Sequence, residues 1–324
     1  MAVKRASCQM EVDLHVHAGW HDNVVNLRGL AYHGGHTYLV MEMCPRGTLD
    51  LLIHAQGSNV SKMDPSKLLR IIRSIARGML HLHTRSPPIF HRDLKPANIF
   101  IGHGYVMKIG DFGMARYGCD TTAYRAAMAP RPPPFTFDEA AMKAVPRSSC
   151  LVAGPTLMRT LTPGVIGTAA YSAPELLNPD TPPRTHCNDV SNCSGGANKH
   201  GRSCEGGEFD SDQLLKADVY AFGVLLWELM ERQRPHAGMD GFQVQTQWVL
   251  DPWSMVLSPP KVPDGLAPQQ RQVMEVLSDL VGQCTAWDPK ARPSFKSILS
   301  ILREASRQDP EQQQHGQQLA SPFS

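Results

Sequence analysis

The chain has 324 residues, 42% of them hydrophobic, and its 32 Lys and Arg nearly cancel its 30 Asp and Glu, leaving a net charge of +2. That length suffices for one two-lobed domain, and the balanced charge gives no footprint for nucleic acid or an anionic membrane as partner. No apolar run approaches the roughly 20 residues that a membrane helix needs, and no signal peptide opens the chain, so a cytoplasmic or nuclear location is expected.

Taken in chain order, the first clear element is Leu39 to Met43, an apolar, β-compatible run that Pro45 and Gly47 bring to an end. Asp64 then offers an N-cap and Pro65 a first helical position. Leu68, Ile72, Ile75, Met79 and Leu82 follow at alternating spacings of four and three, the signature of a helix with one core face. Between Gly113 and Ala173 lie 59 residues, whose middle carries Pro130, Pro132, Pro133, Pro134, Pro146 and Pro155 among alanines. Such a stretch is expected to stay disordered. Asn178 to Gln213, rich in Gly, Ser, Asn and Asp, reads as a second insertion.

That second stretch holds His186, Cys187, Cys193, His200 and Cys204, but the spacings lack the paired short knuckles of a zinc site, so low-complexity sequence is the expectation. The other cysteines are scattered without a framework, which suits reduced thiols. Ala217 to Met230 is apolar nearly all round and predicts a buried helix. Val273, Leu277, Leu280 and Cys284 make a further stripe, and Phe295, Ile298, Leu299 and Leu302 a last one. Past Ala305 the chain turns polar and Gln-rich, again a disordered composition. There is no internal repeat.

The chemistry is concentrated in His91-Arg92-Asp93-Leu94-Lys95-Pro96-Ala97-Asn98 and in Asp111-Phe112-Gly113, which begins thirteen residues after the Asn. A carboxylate can accept a proton from an incoming hydroxyl, and a lysine two residues along an extended loop can face the same way as a point charge. An amide oxygen and a second carboxylate are the hard donors that magnesium prefers. This ordered set resembles a eukaryotic protein kinase domain of the serine/threonine type, a match to a known template for phosphoryl transfer. The wording of Asp218 to Leu229 is closest to the tyrosine-kinase-like group, and Lys95-Pro96 together with Thr168 resembles kinases acting on Ser and Thr.

The resemblance implies a fold, cofactors and residue roles. The fold would be α+β and bilobal, with a small, incomplete β-rich N-lobe over residues 1–43 and a mainly α-helical C-lobe over 44–305. Insertions at about 117–160 and 178–213 and a disordered tail at 306–324 complete the division. ATP and Mg2+ would be the cofactors, and Ser or Thr of proteins the acceptors. Asp93 would be the base, Lys95 the cation on the γ-phosphate, and Asn98 and Asp111 the magnesium ligands. His21 to Val25 and Tyr38 to Met43 look like the family's fourth and fifth strands. Met41 would then be the gatekeeper, with the Glu42 carbonyl and the Cys44 amide reading the adenine edge. Asp218 would anchor the backbone of the His91 loop. Gly167 to Glu175 resembles the substrate-receiving segment, and Glu175 would pair with Arg292.

The N-terminus departs from the family's pattern. No Gly-rich loop occurs upstream of His21, so the upper lobe reads as truncated and nucleotide binding as weakened. Lys4 resembles the ATP-contacting lysine and Glu11 its helical partner, but only six residues separate them; the alternative is a solvated terminal lysine. Arg92 resembles an arginine that contacts an activation-loop phosphate, for which Thr160 and Thr162 are the nearest acceptors; the alternative is that both are ordinary exposed threonines. Three function classes follow: an active protein kinase, a catalytically impaired scaffold, and a fragment of a larger kinase.

Overall fold

A computed structural model describes residues 1–54, 64–118, 168–177 and 211–307. The parts of both expected insertions at 119–160 and 178–210, including His186, Cys187, Cys193, His200, Cys204, Cys119 and Cys150, lie outside the described residues, as do Thr160, Thr162 and the tail beyond Arg307.

The N-terminal part is a three-stranded antiparallel sheet in the order β1–β3–β2, with β1 at Ala2–Arg5, β2 at Leu27–His33 and β3 at His36–Met41. Leu39 to Met41 of the apolar run lie in the central strand, where Leu39 and Val40 are both buried, while Glu42 and Met43 fall beyond its end. Strands β2 and β3 are joined through Gly34-Gly35 at φ 55° and 73°, the left-handed pair that a tight hairpin turn demands. Helix α1, Gln9–Ala18, lays Val12 on this sheet against Leu30 and Leu39. Its Leu14 and Ala18 belong to the larger core.

The strand expected at His21–Val25 is displaced to Leu27–His33. Asn side chains are the reason: Asn26 Oδ1 accepts from the His21 amide at 2.9 Å, and the His21 ring accepts from the Asn23 amide at 3.0 Å. Local side-chain bonds of this kind compete with a ladder. The segment instead pairs downward, through a single bridge from Val24 to Ile109 and a bond from the Val25 amide to the Ile109 carbonyl.

The C-terminal part is mainly helical. Helix α2, Leu49–His54, precedes α3, Pro65–His83, whose Asp64 cap accepts from the Lys67 amide. All five residues of the predicted α3 stripe are buried. Four short strands follow, β4 at Ile89–Phe90, β5 at Ile99–Ile101, β6 at Met107–Ile109 and β7 at Arg116–Tyr117, paired as β4–β7 and β5–β6. Tyr117 therefore belongs to a strand, although it opens the stretch expected as an insertion.

Further along the described residues come α4, Pro174–Leu177, α5, Ser211–Glu231, α6, Gly241–Leu250, α7, Pro268–Cys284, and α8, Phe295–Arg307. Helix α5 begins inside the range given to the second insertion. It packs on α7, while α8 packs on α3. The predicted stripes of α7 and α8 are buried, apart from a half-buried Leu299. The outcome is an α+β protein-kinase fold with a small N-terminal sheet and a helical C-terminal part.

One glycine sets how closely the two parts approach. A Cβ at Gly78 of α3 would fall 2.5 Å from the Asn23 carbonyl oxygen and 2.7 Å from Ile109 Cδ1. Gly78→Ala should therefore destabilise by about 1–3 kcal/mol through overpacking, despite alanine's better helix propensity. Thermal melting checks this; a variant melting above the parent would show that the Asn23 loop yields freely.

Candidate active site

Strand β4 delivers the chain into the His91 loop, where Arg92 takes a left-handed φ of 64°. Such a conformation costs a non-glycine residue free energy unless its surroundings hold it. Asp218, at the buried heart of α5, does so by accepting from the His91 amide at 2.9 Å and the Arg92 amide at 2.8 Å. His83 Nε2 adds a third contact at 2.9 Å. Burial would raise the Asp218 pKa, but these partners outweigh it and keep the carboxyl below its ordinary value.

The loop presents Asp93 with both carboxylate oxygens engaged. Oδ2 accepts from Lys95 Nζ at 2.8 Å and Asn98 Nδ2 at 2.9 Å, and Oδ1 accepts from the amide and hydroxyl of Thr168, each at 3.1 Å. Lys95 Nζ also donates to Thr168 Oγ1 at 2.5 Å. Thr168 thus ties the segment expected to receive substrate to the expected base.

Asp111 is positioned one residue beyond Gly110, whose amide donates to the Asn98 carbonyl at 3.0 Å and whose carbonyl meets His91 Nε2 at 3.1 Å. It too is left-handed, at φ 63°. Its Oδ1 lies 2.7 Å from Lys4 Nζ, which also reaches Glu11 Oε1 at 2.6 Å. The structure therefore joins Lys4 and Glu11 despite their short separation, and the solvated-lysine alternative falls away. One ammonium stands between two carboxylates. Burial alone would lower the Lys4 pKa, yet Asp111 and Glu11 outweigh it and hold it above the usual value. Asp111 shows the reciprocal effect: burial would raise it, and Lys4 brings it below the usual range.

Helix α1 is locked to this centre by His15. The ring is 3% exposed and meets Phe112 edge-on, with centroids 4.5 Å apart. Burial pushes its pKa down to about 4 against the pull of Glu11. Between pH 6.5 and 4 the unfolded chain then binds a proton at this position that the folded chain does not. Stability should fall as pH drops through that window, by about 3 kcal/mol from His15 alone. His15→Leu should shrink the difference between melting temperatures measured at pH 7.5 and 5; an unchanged difference would mean that the ring is protonated in the folded protein.

The expected hinge follows β3. Met41 ends that strand and packs against the small sheet core. The Glu42 side chain accepts from the backbone and side-chain amides of Asn26, at 2.8 and 2.9 Å, and pairs with Lys108 at 3.0 Å. Burial, with the Glu42 charge adding, pushes the Cys44 thiol up to about 11, so it stays protonated at neutral pH. The three described cysteines, Cys8, Cys44 and Cys284, are free.

Glu175 and Arg292 meet as the sequence suggested, in a two-armed pair at 2.6 and 2.9 Å. Glu228 escaped the sequence reading. It is fully buried in α5, accepts from Tyr171 Oη at 2.6 Å and lies 2.7 Å from His54 Nε2. Glu228, the one carboxylate in the apolar run from Val219 to Met230, was the available signal. Asp50, His54 and Glu228 bring three metal-type atoms together, but Asp50 is already bound to Arg234 at 2.9 and 3.3 Å. The group reads as a hydrogen-bonded network that fastens Tyr171 and α2 to α5.

Asn98 and Asp111 fit a hard divalent cation. The Asn98 side-chain nitrogen donates to Asp93, so its side-chain oxygen would be the ligand, and Asp111 is an ionised carboxylate with its side chain 34% exposed.

Residues 2–130 match the Protein kinase domain family, and residues 209–302 match the Protein tyrosine and serine/threonine kinase family. The chain belongs to the protein kinase family. It is similar at 26% identity over 283 residues to the serine/threonine-protein kinase CTR1 of Arabidopsis thaliana, across 87% of this chain and 25% of that protein. The probable serine/threonine-protein kinases SIS8 of Arabidopsis thaliana and drkC of Dictyostelium discoideum are similar at 26% each, over 89% and 87% of this chain and 20% and 27% of theirs. The chain thus spans roughly a quarter of the length of these three curated relatives. Among the described residues, no helix is long and apolar enough to cross a membrane.

Proposed function

We propose that this chain transfers the γ-phosphate of ATP to Ser or Thr hydroxyls of protein substrates. The observation that carries the reading is Lys4 Nζ seated between Glu11 and Asp111, in a fold where Asp93, Lys95 and Asn98 share one hydrogen-bonded cluster. The acceptor hydroxyl gives its proton to Asp93 as its oxygen bonds to the γ-phosphorus, and the bond to ADP breaks. Lys95 offsets charge on the transferring group, and Lys4 on the phosphates of the nucleotide. The Glu42 carbonyl and Cys44 amide meet the adenine edge beside Met41. Asn98 and Asp111 would hold Mg2+, which would supply positive charge opposite the phosphate oxygens. A cytoplasmic or nuclear location suits these substrates.

The Arg92 side chain is compatible with a regulatory phosphate. Burial, with Arg116 adding as a like charge, pushes its pKa down to about 10, and an arriving dianion would relieve that repulsion.

The test is transfer of labelled phosphate from Mg-ATP to a generic Ser/Thr substrate and to the protein itself, using the full-length protein. Magnesium-dependent labelling of Ser or Thr supports the reading. Partner binding without any phosphotransfer would replace the enzyme by a scaffold.

A further inference from the structure

The link between β1 and α1 is only Ala6-Ser7-Cys8, and its middle residue makes contacts that the roles above do not use. Glu11 is fully buried, so each of its oxygens needs a partner. Oε1 faces Lys4. Oε2 accepts from the Ser7 amide and from the Ser7 hydroxyl, both at 2.8 Å. Cys8, at the N-cap of α1, supplies no side-chain cap, so Glu11 reaching back to Ser7 also serves the start of the helix. The same hydroxyl oxygen lies 3.7 Å from where a Cβ on Gly113 would stand, which sets it over the Asp111-Phe112-Gly113 turn.

We infer that Ser7 is a positioning residue, whose hydroxyl fixes the rotamer of Glu11 and so aims Lys4 at the nucleotide phosphates. A glutamate has three side-chain torsions, and one cation at one oxygen does not settle them. Two donors on the other oxygen do, and they lie on the residue that joins the strand of Lys4 to the helix of Glu11. This shows how six intervening residues suffice for the pair: Glu11 sits in the first turn of α1, and its carboxylate folds back over the link. The inference rests on the kinase reading for its consequence in catalysis, but the aim of Lys4 can be measured without turnover.

Ser7→Ala, Ser7→Thr and Ser7→Asp would be compared with the parent in the full-length protein. The first readout is the acylation rate of the Lys4 amine by acetic anhydride, followed by mass spectrometry without nucleotide. The second is the KM for Mg-ATP against kcat. Ser7→Ala should speed Lys4 acylation and raise KM about fivefold each, the factor for losing one ordinary hydrogen bond, with kcat nearly held. Ser7→Thr, which keeps the hydroxyl, should restore both. Ser7→Asp should raise KM further than Ser7→Ala, because it sets a third carboxylate beside Glu11 and Asp111 that repels the nucleotide phosphates. Parental acylation in Ser7→Ala would overturn the inference, as would an equal loss in Ser7→Thr. If acylation responds as expected but the parent transfers no phosphate, the kinase reading fails and the positioning of Lys4 by Ser7 stands.

Discussion

Asp93→Asn should lower phosphotransfer by about 10²- to 10⁴-fold, the usual worth of a positioned general base, while Mg-ATP binding stays close to that of the parent. The substitution keeps the size of the side chain and removes the proton acceptor. It also turns an amide nitrogen toward a donor, since Asp93 Oδ2 faces Lys95 and Asn98 and Oδ1 faces the amide and hydroxyl of Thr168. Asp111→Asn should behave differently. It removes the charge that pairs with Lys4 at 2.7 Å and would weaken the proposed metal ligand to a neutral amide oxygen, so magnesium-dependent nucleotide binding should fall with the rate. Calorimetry with Mg-ATP beside the labelled-phosphate assay separates the two. Equal phosphotransfer by Asp93→Asn and the parent would remove Asp93 from the chemistry.

Arg292→Ala should cost about 3–5 kcal/mol of stability, the penalty for breaking a buried charge pair from one side. The Arg292 side chain is fully buried, and its five N–H groups meet five acceptors. Nε donates to the Ala286 carbonyl, Nη1 to Glu175 and the Lys216 carbonyl, and Nη2 to Glu175 and the Trp287 carbonyl. The Lys216 ammonium in turn donates to the Arg292 carbonyl. Removing the guanidinium strands Glu175 and several carbonyls together, which corresponds to a fall in melting temperature of roughly 6–20 °C. Arg292→Lys should not rescue it, because an ammonium cannot make the planar fork. Should Arg292→Ala fail to give soluble protein, Glu175→Gln reads the same pair from its 17% exposed side. A variant as stable as the parent would mean that the pair contributes nothing net.

Much of the lower part of the molecule was legible because its signals are periodic and local. The stripe from Leu68 to Leu82 is buried throughout, and Asp64 caps it as its residue type suggests. The buried helix around Val219 to Leu229 was equally plain, since apolar residues on every side leave no face for water. Reading the upper part was harder. His21 to Val25 has strand-forming valines, yet Asn23, Asn26 and the His21 ring divert its backbone into local bonds. The strand begins later, at Leu27, in a segment with Arg28 and Gly29 that offers little apolar pattern.

What the sequence offered by itself is the set of candidate reacting groups. Asp93, Lys95, Asn98 and Asp111 are marked by their resemblance to an ordered set of kinase motifs, which can be read because chemistry of this kind requires particular residue types on short connected loops. What only the tertiary structure decided is which distant charges meet, and in what conformation. Lys4 reaches Asp111, 107 residues away, and Arg292 reaches Glu175, 117 residues away. Arg92 and Asp111 adopt left-handed backbones that their residue types would avoid alone. Asp218 holds the first of these by two amides, and Lys4 and the Gly113 amide bind the carboxylate of the second. Spacing along a chain records local geometry, whereas partners buried across the fold are chosen by the need to satisfy charge once water is excluded.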